Sequence, residues 1–380
     1  MRLIFNEIKK ILTWKMVLLL IVVNAALYFL FISFHIDNYP SGLSALESHQ
    51  IGVEMVEKYG SEIDDEELAD FKEAYERRVA EADDYLQSRE AFVNAGLDSY
   101  EDFKNAGPEN REQTELINQV MFEEQVDLFW ELQERERLLD FHDGKEESLE
   151  ADINRANPSQ QVLLKKLQEK ELYQVYPEAA IENYKHFITN VAIALVISVV
   201  IVVSPLYLYD RLRHMPELQY TSKKGRHLFK TKAAAGFLSS LIVTTGLFIV
   251  YYGIYATNGT SIFFDVSVHR FIGGYSWYNL TFFQYIAVAT MAVYVLGSVF
   301  ALLAMSFSSM MQNYVSLIGI QTPMIAGLMM FGLTYLVTDI ISLYNPQWLA
   351  PVSYGLMMAI SVAMFVIMWR REKIRDVLVS

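Results

Sequence analysis

Long uncharged apolar runs recur along this chain, and six of them match the length of a membrane-spanning helix. A bilayer core needs about 20 apolar residues in helical form, because lipid offers backbone groups no hydrogen-bond partners. The six runs are Met16–Phe34, Phe187–Tyr209, Ala233–Thr257, Thr281–Met311, Tyr314–Thr338 and Trp348–Trp369. The pattern predicts an all-α, polytopic membrane protein with six transmembrane helices.

The first run has a second interpretation, as a secretory signal, because Lys9, Lys10 and Lys15 precede it. Its length and the lack of a small-x-small cleavage site favour an uncleaved anchor. Residues 3–14 before it have a helical apolar face. That face comprises Ile4, Phe5, Ile8, Ile11 and Leu12. We expect an amphipathic helix in the membrane interface, with a simple extension of the first span as the alternative.

The predicted spans contain prolines and neutral polar residues. Pro205 and Pro323 predict local kinks. Four polar side chains are expected to hydrogen-bond between helices, and they are Asn24, Ser198, Gln284 and Gln321. None of the six runs contains Asp, Glu, Lys, Arg or His. Ion-coupled carriers need such a group inside the membrane, so a carrier of that class is disfavoured.

The segment 36–186 is polar and has helical periodicity. Apolar residues at spacings of three and four predict helices over about 61–95 and 109–141, the first opened by a capping box of Ser61 with Asp64. Asn157-Pro158 predicts a third helix start, and Pro177 opens a helix that continues into the second span. We therefore expect a helical domain projecting from the first two spans.

Charge separates this segment from the rest of the chain. Residues 36–186 hold 38 Asp/Glu and 15 Lys/Arg, a net charge of −23, whereas the remainder has 7 and 16, a net of +9. The acidic surface has two interpretations: solvation of an ordinary helical domain, or attraction of cationic peptides. The acidic run 64–67 lacks the spaced ligands and glycine of a calcium loop, so calcium binding is disfavoured.

Lysine and arginine predict the orientation. They cluster in 1–15, 210–232 and 370–380, and the alternate loops are nearly free of them. By the positive-inside rule, both termini lie in the cytoplasm and 36–186 is extracytoplasmic, in a multi-pass protein of the cell membrane. The expected segments are 1–15 (interfacial helix), 16–35 (first span), 36–186 (extracytoplasmic domain), 187–209 (second span), 210–232 (cytosolic loop), 233–369 (spans three to six) and 370–380 (cytosolic tail).

Signatures of common enzymes are absent from the chain. It has no G-x-x-x-x-G-K-[ST], no H-E-x-x-H and no G-x-S-x-G, and its seven histidines lack metal-ligand spacing. There is no cysteine, so disulfides are excluded. We expect no enzyme activity, no bound metal or cofactor and no nucleic-acid partner. If the spans move a substrate, the energy comes from another chain.

The loop 210–232 is the most patterned internal segment. Pro216 and Glu217 suit the first turn of a short helix, and Gly225 permits a tight turn. An anchor against anionic lipid, the simpler interpretation, needs only the seven basic residues.

The stretch from Glu217 to Lys232, with T-S-K-K-G-R followed by F-K-T-K, resembles the coupling loop of exporter-type (type-2) permease subunits of bacterial ABC transporters. One subgroup of these permeases resembles this chain further, with a helical insertion between spans one and two. The resemblance implies contact with an ABC ATPase subunit through six residues, which are Glu217, Thr221, Ser222, Gly225, Arg226 and Lys232.

The same resemblance implies how the chain would work. ATP would bind to the partner subunit, and the permease would pair with a second copy or a sister permease among membrane lipids. The cargo would be amphipathic: a peptide, an antibiotic or a lipid-like molecule. The alternative class is a non-transporting membrane receptor whose outer domain binds a ligand.

The predicted orientation is tested by single cysteines, because the natural chain has none. Ser148→Cys and Ser267→Cys are expected to react with an impermeant maleimide on intact cells, and Ser222→Cys only after lysis. The unsubstituted chain is the control and should stay unlabelled. Reaction of Ser222→Cys on intact cells contradicts the six-span arrangement.

Overall fold

The computed structural model describes residues 2–213 and 228–374, and these residues are helical with no β-strand. Numbered in chain order, the first α-helices are α1 (Arg2–Ile11), α2 (Trp14–Leu27), α3 (Phe34–Asp37), α4 (Leu43–Tyr59), α5 (Asp65–Gln87), α6 (Glu90–Asn94), α7 (Tyr100–Asn105), α8 (Arg111–Asn118) and α9 (Asp127–Asp143). They are followed by α10 (Lys145–Arg155), α11 (Pro158–Glu169), α12 (Ala179–Val203), α13 (Pro205–Leu212), α14 (Leu228–Tyr255), α15 (Phe282–Met310), α16 (Tyr314–Gly327) and α17 (Leu349–Ile374).

The chain forms two compact units. Unit 1 comprises Met1–Asp37, Tyr184–Asn258 and Tyr285–Ser380. Unit 2 comprises Asn38–Asn183 together with Gly259–Gln284. The second piece of unit 2 lies outside the predicted domain 36–186. The sequence did not indicate it, because residues 258–280 have the pattern of a plain loop between two spans.

Within residues 2–213 and 228–374, six helical segments are long and apolar enough to cross a membrane, as the sequence predicted. Spans 1 to 6 are Trp14–Ile32, Ala179–Leu212, Leu228–Asn258, Phe282–Met310, Tyr314–Gly332 and Leu349–Ile374. Span 2 begins eight residues before its uncharged run, because the polar turns after Pro177 are already helical. The chain is therefore a helical, multi-pass membrane protein.

Span 2 is the most buried of these helices. In its most apolar stretch 67% of the residues are buried, against 11% in span 6. Its polar groups face neighbours: Asn24 of span 1 donates to Ser198 Oγ at 2.8 Å, and Tyr251 of span 3 donates to Asn24 Oδ1 at 2.8 Å. Ser204 Oγ donates to Gln321 Oε1 of span 5 at 3.0 Å. These contacts confirm the expected role of three of the four neutral polar residues.

Gln284 differs from that expectation. Its Oε1 accepts from the backbone N–H of Thr281 at 3.1 Å, and the Thr281 hydroxyl accepts from the Gln284 N–H at 3.3 Å. This reciprocal pair caps the start of α15, where backbone donors lack helical partners. Gln284 therefore bonds within its own helix start, and not to a second helix as predicted.

The prolines act differently from each other. Regular helix is interrupted at Ser204, and Pro205 occupies the first position of α13, which confirms a break there. Pro323 instead lies inside α16, and the irregular backbone comes later, as π-helical turns at Leu328–Gly332 and Thr334–Thr338.

Unit 2 is built from α4, α5 and α9 with shorter helices around them. A cluster of buried side chains forms its core, comprising Ala82, Leu86, Phe92, Leu97, Tyr100, Phe103, Val120, Met121, Phe129 and Leu132. The predicted helix over 109–141 is wrong in its middle: α8 and a π-helical turn end at Glu123, and α9 starts at Asp127. Gln125, with φ of 52°, turns the chain there so that Val120 and Phe129 both reach the core.

Helix starts in unit 2 follow their capping residues. Asn157 caps α11 in a capping box with Gln160, as its sequence indicates. The predicted box of Ser61 with Asp64 is wrong, because Asp64 is itself the N-cap and pairs with Glu67. The sequence contains both candidate spacings, and only Asp64 lies directly before α5. The predicted 61–95 helix is also divided, into α5 and α6.

The second piece of unit 2 joins the first through backbone hydrogen bonds. The Val175 and Tyr176 N–H groups donate to the Arg270 carbonyl at 2.8 and 2.9 Å, and the Ile272 N–H donates to the Tyr176 carbonyl at 2.9 Å. Tyr176 and Phe271 are fully buried. The two pieces therefore share one core.

Charged side chains are buried between the main helices of unit 2. Arg135 of α9, whose side chain is 6% exposed, pairs with Glu131 at 2.7 Å and with Glu54 of α4. Glu131 also pairs with Arg78 of α5. Arg135 lies over the Phe71 ring at 5.2 Å. Because breaking one member leaves a buried charge unpaired, this network fixes how α4, α5 and α9 pack.

Two further buried groups have opposite effects on stability as pH falls. Burial lowers the pKa of the His269 imidazole to about 4, and neither ring nitrogen has a hydrogen-bond partner in the described residues. Burial, followed by the Glu131 and Asp127 carboxylates, raises the pKa of Glu47 to about 7.

Between pH 6.5 and 5, unfolding lets His269 gain a proton, so acid destabilises unit 2 by about 2 kcal/mol through this group. In the same pH range the Glu47 carboxyl is mostly protonated in the folded chain and mostly ionised in the unfolded chain. Lowering the pH therefore stabilises unit 2 through Glu47. We compare the free energy of unfolding of each variant with that of the natural chain at pH 7 and at pH 5. On going to pH 5, His269→Gln is expected to become more stable relative to the natural chain, and Glu47→Gln is expected to become less stable relative to it. Thermal unfolding by circular dichroism measures both. Parallel pH profiles of the two variants contradict this assignment.

Candidate functional site

The predicted coupling residues lie mostly beyond what the structure describes. Glu217, Thr221, Ser222, Gly225 and Arg226 fall in 214–227, outside the described residues. Lys232 is described: it lies near the start of α14 and is 5% exposed. The candidate site is therefore built around Lys232 and the helix ends that surround it in unit 1.

Lys232 is paired rather than exposed to solvent. Its ammonium forms an ion pair with Asp210 of α13, and the two side chains are 7% and 21% exposed. Asp210 ends the second span and Lys232 begins the third, on the two sides of residues 214–227. This ion pair joins the two helices from which that segment extends.

The N-terminal helix α1 packs against α14 in the same region. Glu7 is 8% exposed and lies within electrostatic range of Lys232. Lys10 pairs with Glu7 at 2.5 Å, and Ile11 is 9% exposed. The sequence identified α1 as a separate amphipathic helix but missed Glu7. The available signal was that Glu7 is the one acid among residues 1–15.

Most of the predicted apolar face of α1 is covered: Ile11 is buried, and Ile4, Ile8 and Leu12 are half-buried. Phe5 departs from the prediction, with 57% of its surface exposed. The protein side of α1 is the side of Glu7 and Ile11, and Phe5 lies outside it. A helix whose remaining apolar residues face outward suits the membrane interface.

Arg211 connects the end of span 2 to spans 4 and 6. Its guanidinium donates to the Met311 carbonyl at 2.7 Å and to the Ser309 carbonyl, just at the end of α15. Glu372 of α17 lies 3.7 Å from it. Since carbonyls at a helix end lack helical partners, a guanidinium there satisfies them and complements the helix dipole.

Ser308 caps the helix that Pro205 restarts. Its hydroxyl oxygen accepts from the backbone N–H groups of Tyr207 and Leu208, each at 3.1 Å. These N–H groups lie in the first turn of α13, directly after the interruption at Ser204. A hydroxyl of span 4 thereby contacts the backbone of span 2 where its helix is interrupted at Ser204.

A cavity of about 660 Å³ opens within this group of helix ends. Its lining combines charged and apolar side chains from α1, α2, α14 and both helices of span 2 (α12 and α13), with Thr13 between α1 and α2 and Arg213 directly after α13. The volume falls within the range of pockets that bind small molecules, about 300–1,000 Å³. Over residues 2–213 and 228–374, no group of three His, Asp or Glu side chains suits a metal ion.

The helical frame and its charged helix ends define a multi-pass membrane protein, in whose described residues a polar cluster lies at the ends of spans 1, 2, 3, 4 and 6. No protein-family model matches the chain, and comparisons with curated proteins and with solved structures give no match.

The Lys232–Asp210 pair should stabilise this cluster measurably. Asp210→Asn leaves a buried ammonium without its counter-charge, at a cost of about 3 kcal/mol, so the apparent melting temperature in detergent is expected to fall. Asp210→Leu with Lys232→Met removes both charges and should recover most of the loss. Asp37→Asn, at an exposed position, is the matched control. A double variant as unstable as the single variant contradicts a specific pair.

Proposed function

We propose that this chain is the permease subunit of an ABC exporter, driven by ATP that a separate ATPase subunit hydrolyses. The proposal rests on the charged cluster at one end of unit 1. Through Asp210, Arg211 and Lys232 the end of span 2 is tied to spans 3, 4 and 6, and α1 packs on the same cluster. A push on the segment between α13 and α14 is thereby passed to several spans at once.

The orientation of this end follows from charge. The basic segments 1–15, 210–232 and 370–380 support the proposal that this end lies in the cytoplasm of a cell-membrane protein, with 36–186 outside. An ATPase lies in the cytoplasm, so the cluster is on the side where such a subunit docks. In this proposal Glu217, Thr221, Ser222, Gly225, Arg226 and Lys232 form the coupling segment.

Burial of the spans supports pairing with a second permease. Only 17% of the apolar stretches of spans 1 and 5 and 11% of that of span 6 is buried, so their surfaces remain for lipid or for another chain. We propose a second copy or a sister permease on part of that surface. The resemblance to exporter-type permeases implies an amphipathic cargo, such as a peptide, an antibiotic or a lipid-like molecule.

A receptor is the second candidate, and unit 2 favours it. That unit has its own apolar core and its own buried charge network. In this reading, a ligand bound by unit 2 alters the membrane frame without transport. A chain that copurifies with a kinase rather than with an ATPase indicates the receptor.

The decisive experiment is purification of the tagged full chain from its native host in mild detergent. We expect an ABC ATPase to copurify, with Glu217→Lys and Gly225→Val each reducing its recovery at least about fivefold. The first reverses a charge where the sequence predicts the first turn of a short helix, and the second adds a branched side chain where the sequence predicts a turn that glycine permits. Both variants should still insert and fold.

Matched controls keep the test specific. Glu66→Lys makes the same charge change at an exposed position in unit 2, and Gly107→Val adds the same side chain where no atom lies within 4 Å of a new Cβ. Both should recover the ATPase normally. Absence of any ATPase, or equal recovery from loop and control variants, refutes coupling through this loop.

A further inference from the structure

The cavity of about 660 Å³ in unit 1 has an excess of positive charge. Four cationic side chains line it, Lys10, Lys15, Arg213 and Lys232, against the two carboxylates of Glu7 and Asp210. Lys10 pairs with Glu7, and Lys232 pairs with Asp210. Lys15 and Arg213 have no ion pair with any carboxylate in the part of the chain that the structure describes. Two positive charges at the cavity are therefore available to a ligand.

The two available cations are held by aromatic side chains. Lys15 Nζ lies 5.9 Å from the centre of the Trp14 ring, and the Arg213 guanidinium lies 4.1 Å from the centre of the Tyr209 ring. Trp14 and Tyr209 are 71% and 46% exposed. Aromatic rings of this kind are favoured at the boundary between hydrocarbon and water. The cations thus lie at the level of lipid headgroups.

The remaining wall of the cavity is apolar. Ile11 and Met16 contribute from α1 and α2, Val202 and Leu206 from span 2, and Leu228 from the start of α14. A free inorganic anion gains nothing from such a wall. A molecule with an anionic head and a hydrocarbon portion is complementary to both parts.

We propose that this cavity is a binding site for an anionic phospholipid, whose phosphate lies between Lys15 and Arg213 and whose glycerol and upper acyl chain contact the apolar wall. Basic pockets among spanning helices recognise lipid phosphates in this way. The site is made by residues of α1, α2, α13 and α14, so a bound lipid would link the N-terminal helix to the second and third spans. The inference is independent of transport and of any ATPase.

The test uses the purified full chain and native mass spectrometry, which counts retained lipids. Protein titrated with phosphatidylglycerol is expected to retain one lipid, and phosphatidylcholine with the same acyl chains should be retained about tenfold less. Lys15→Gln with Arg213→Gln removes both available cations and should weaken phosphatidylglycerol binding about tenfold or more. Lys15→Arg with Arg213→Lys keeps the charges and should restore it.

The matched control is Lys9→Gln with Lys230→Gln, which removes the same charge from neighbouring positions that do not line the cavity. It should bind phosphatidylglycerol within about twofold of the natural chain. Equal losses in the two double variants, or equal retention of both lipids, overturn the site. Displacement of the lipid by millimolar inorganic phosphate also overturns it, because the ligand is then a free anion. Since no ATPase is present, these outcomes do not depend on the proposed function.

Discussion

Hydrogen bonding inside hydrocarbon is the constraint on which the membrane frame depends, and span 2 is the helix that satisfies most of it. Lipid offers no partner to a polar group, so a polar side chain within a span bonds either to its own helix, as the Ser306 hydroxyl donates to the Leu302 carbonyl, or to another helix. Ser198 and Asn190 of span 2 bond to span 1, the latter donating to the Phe31 carbonyl in a π-helical turn at 2.8 Å. Tyr184 meets Tyr252 of span 3 at 3.0 Å. These neutral contacts specify neighbours without placing charge in the membrane.

Charge is instead concentrated where the spans end. Asp210, Arg211 and Lys232 are paired within a few residues of the apolar helices, and Arg211 satisfies carbonyls at the end of α15. Paired charges at such a boundary retain strong mutual attraction, because the surrounding dielectric is lower than in water. The frame therefore combines neutral contacts along the spans with paired charges at their ends.

Sequence periodicity predicted the elements that depend on local rules and failed where distant contacts decide. The six spans need only length and apolarity, and α11 needs only Asn157 before Pro158. The break at Gln125 could not be predicted, because it places Val120 and Phe129 in a core whose other members lie up to fifty residues away in sequence. In the candidate site, Lys232 was predicted, but its partner Asp210 and the buried Glu7 were not. Nothing in a basic loop indicates which of its charges is buried.

The divided chain of unit 2 has a consequence for biosynthesis. Residues 259–284 complete a core begun by residues 38–183, and spans 2 and 3 lie between them in the chain. The ribosome must therefore deliver both spans to the insertion machinery before Phe271 can reach Tyr176. The core of unit 2 can therefore close only after the chain has been synthesised beyond span 3, so its folding is coupled in time to the synthesis of two membrane spans.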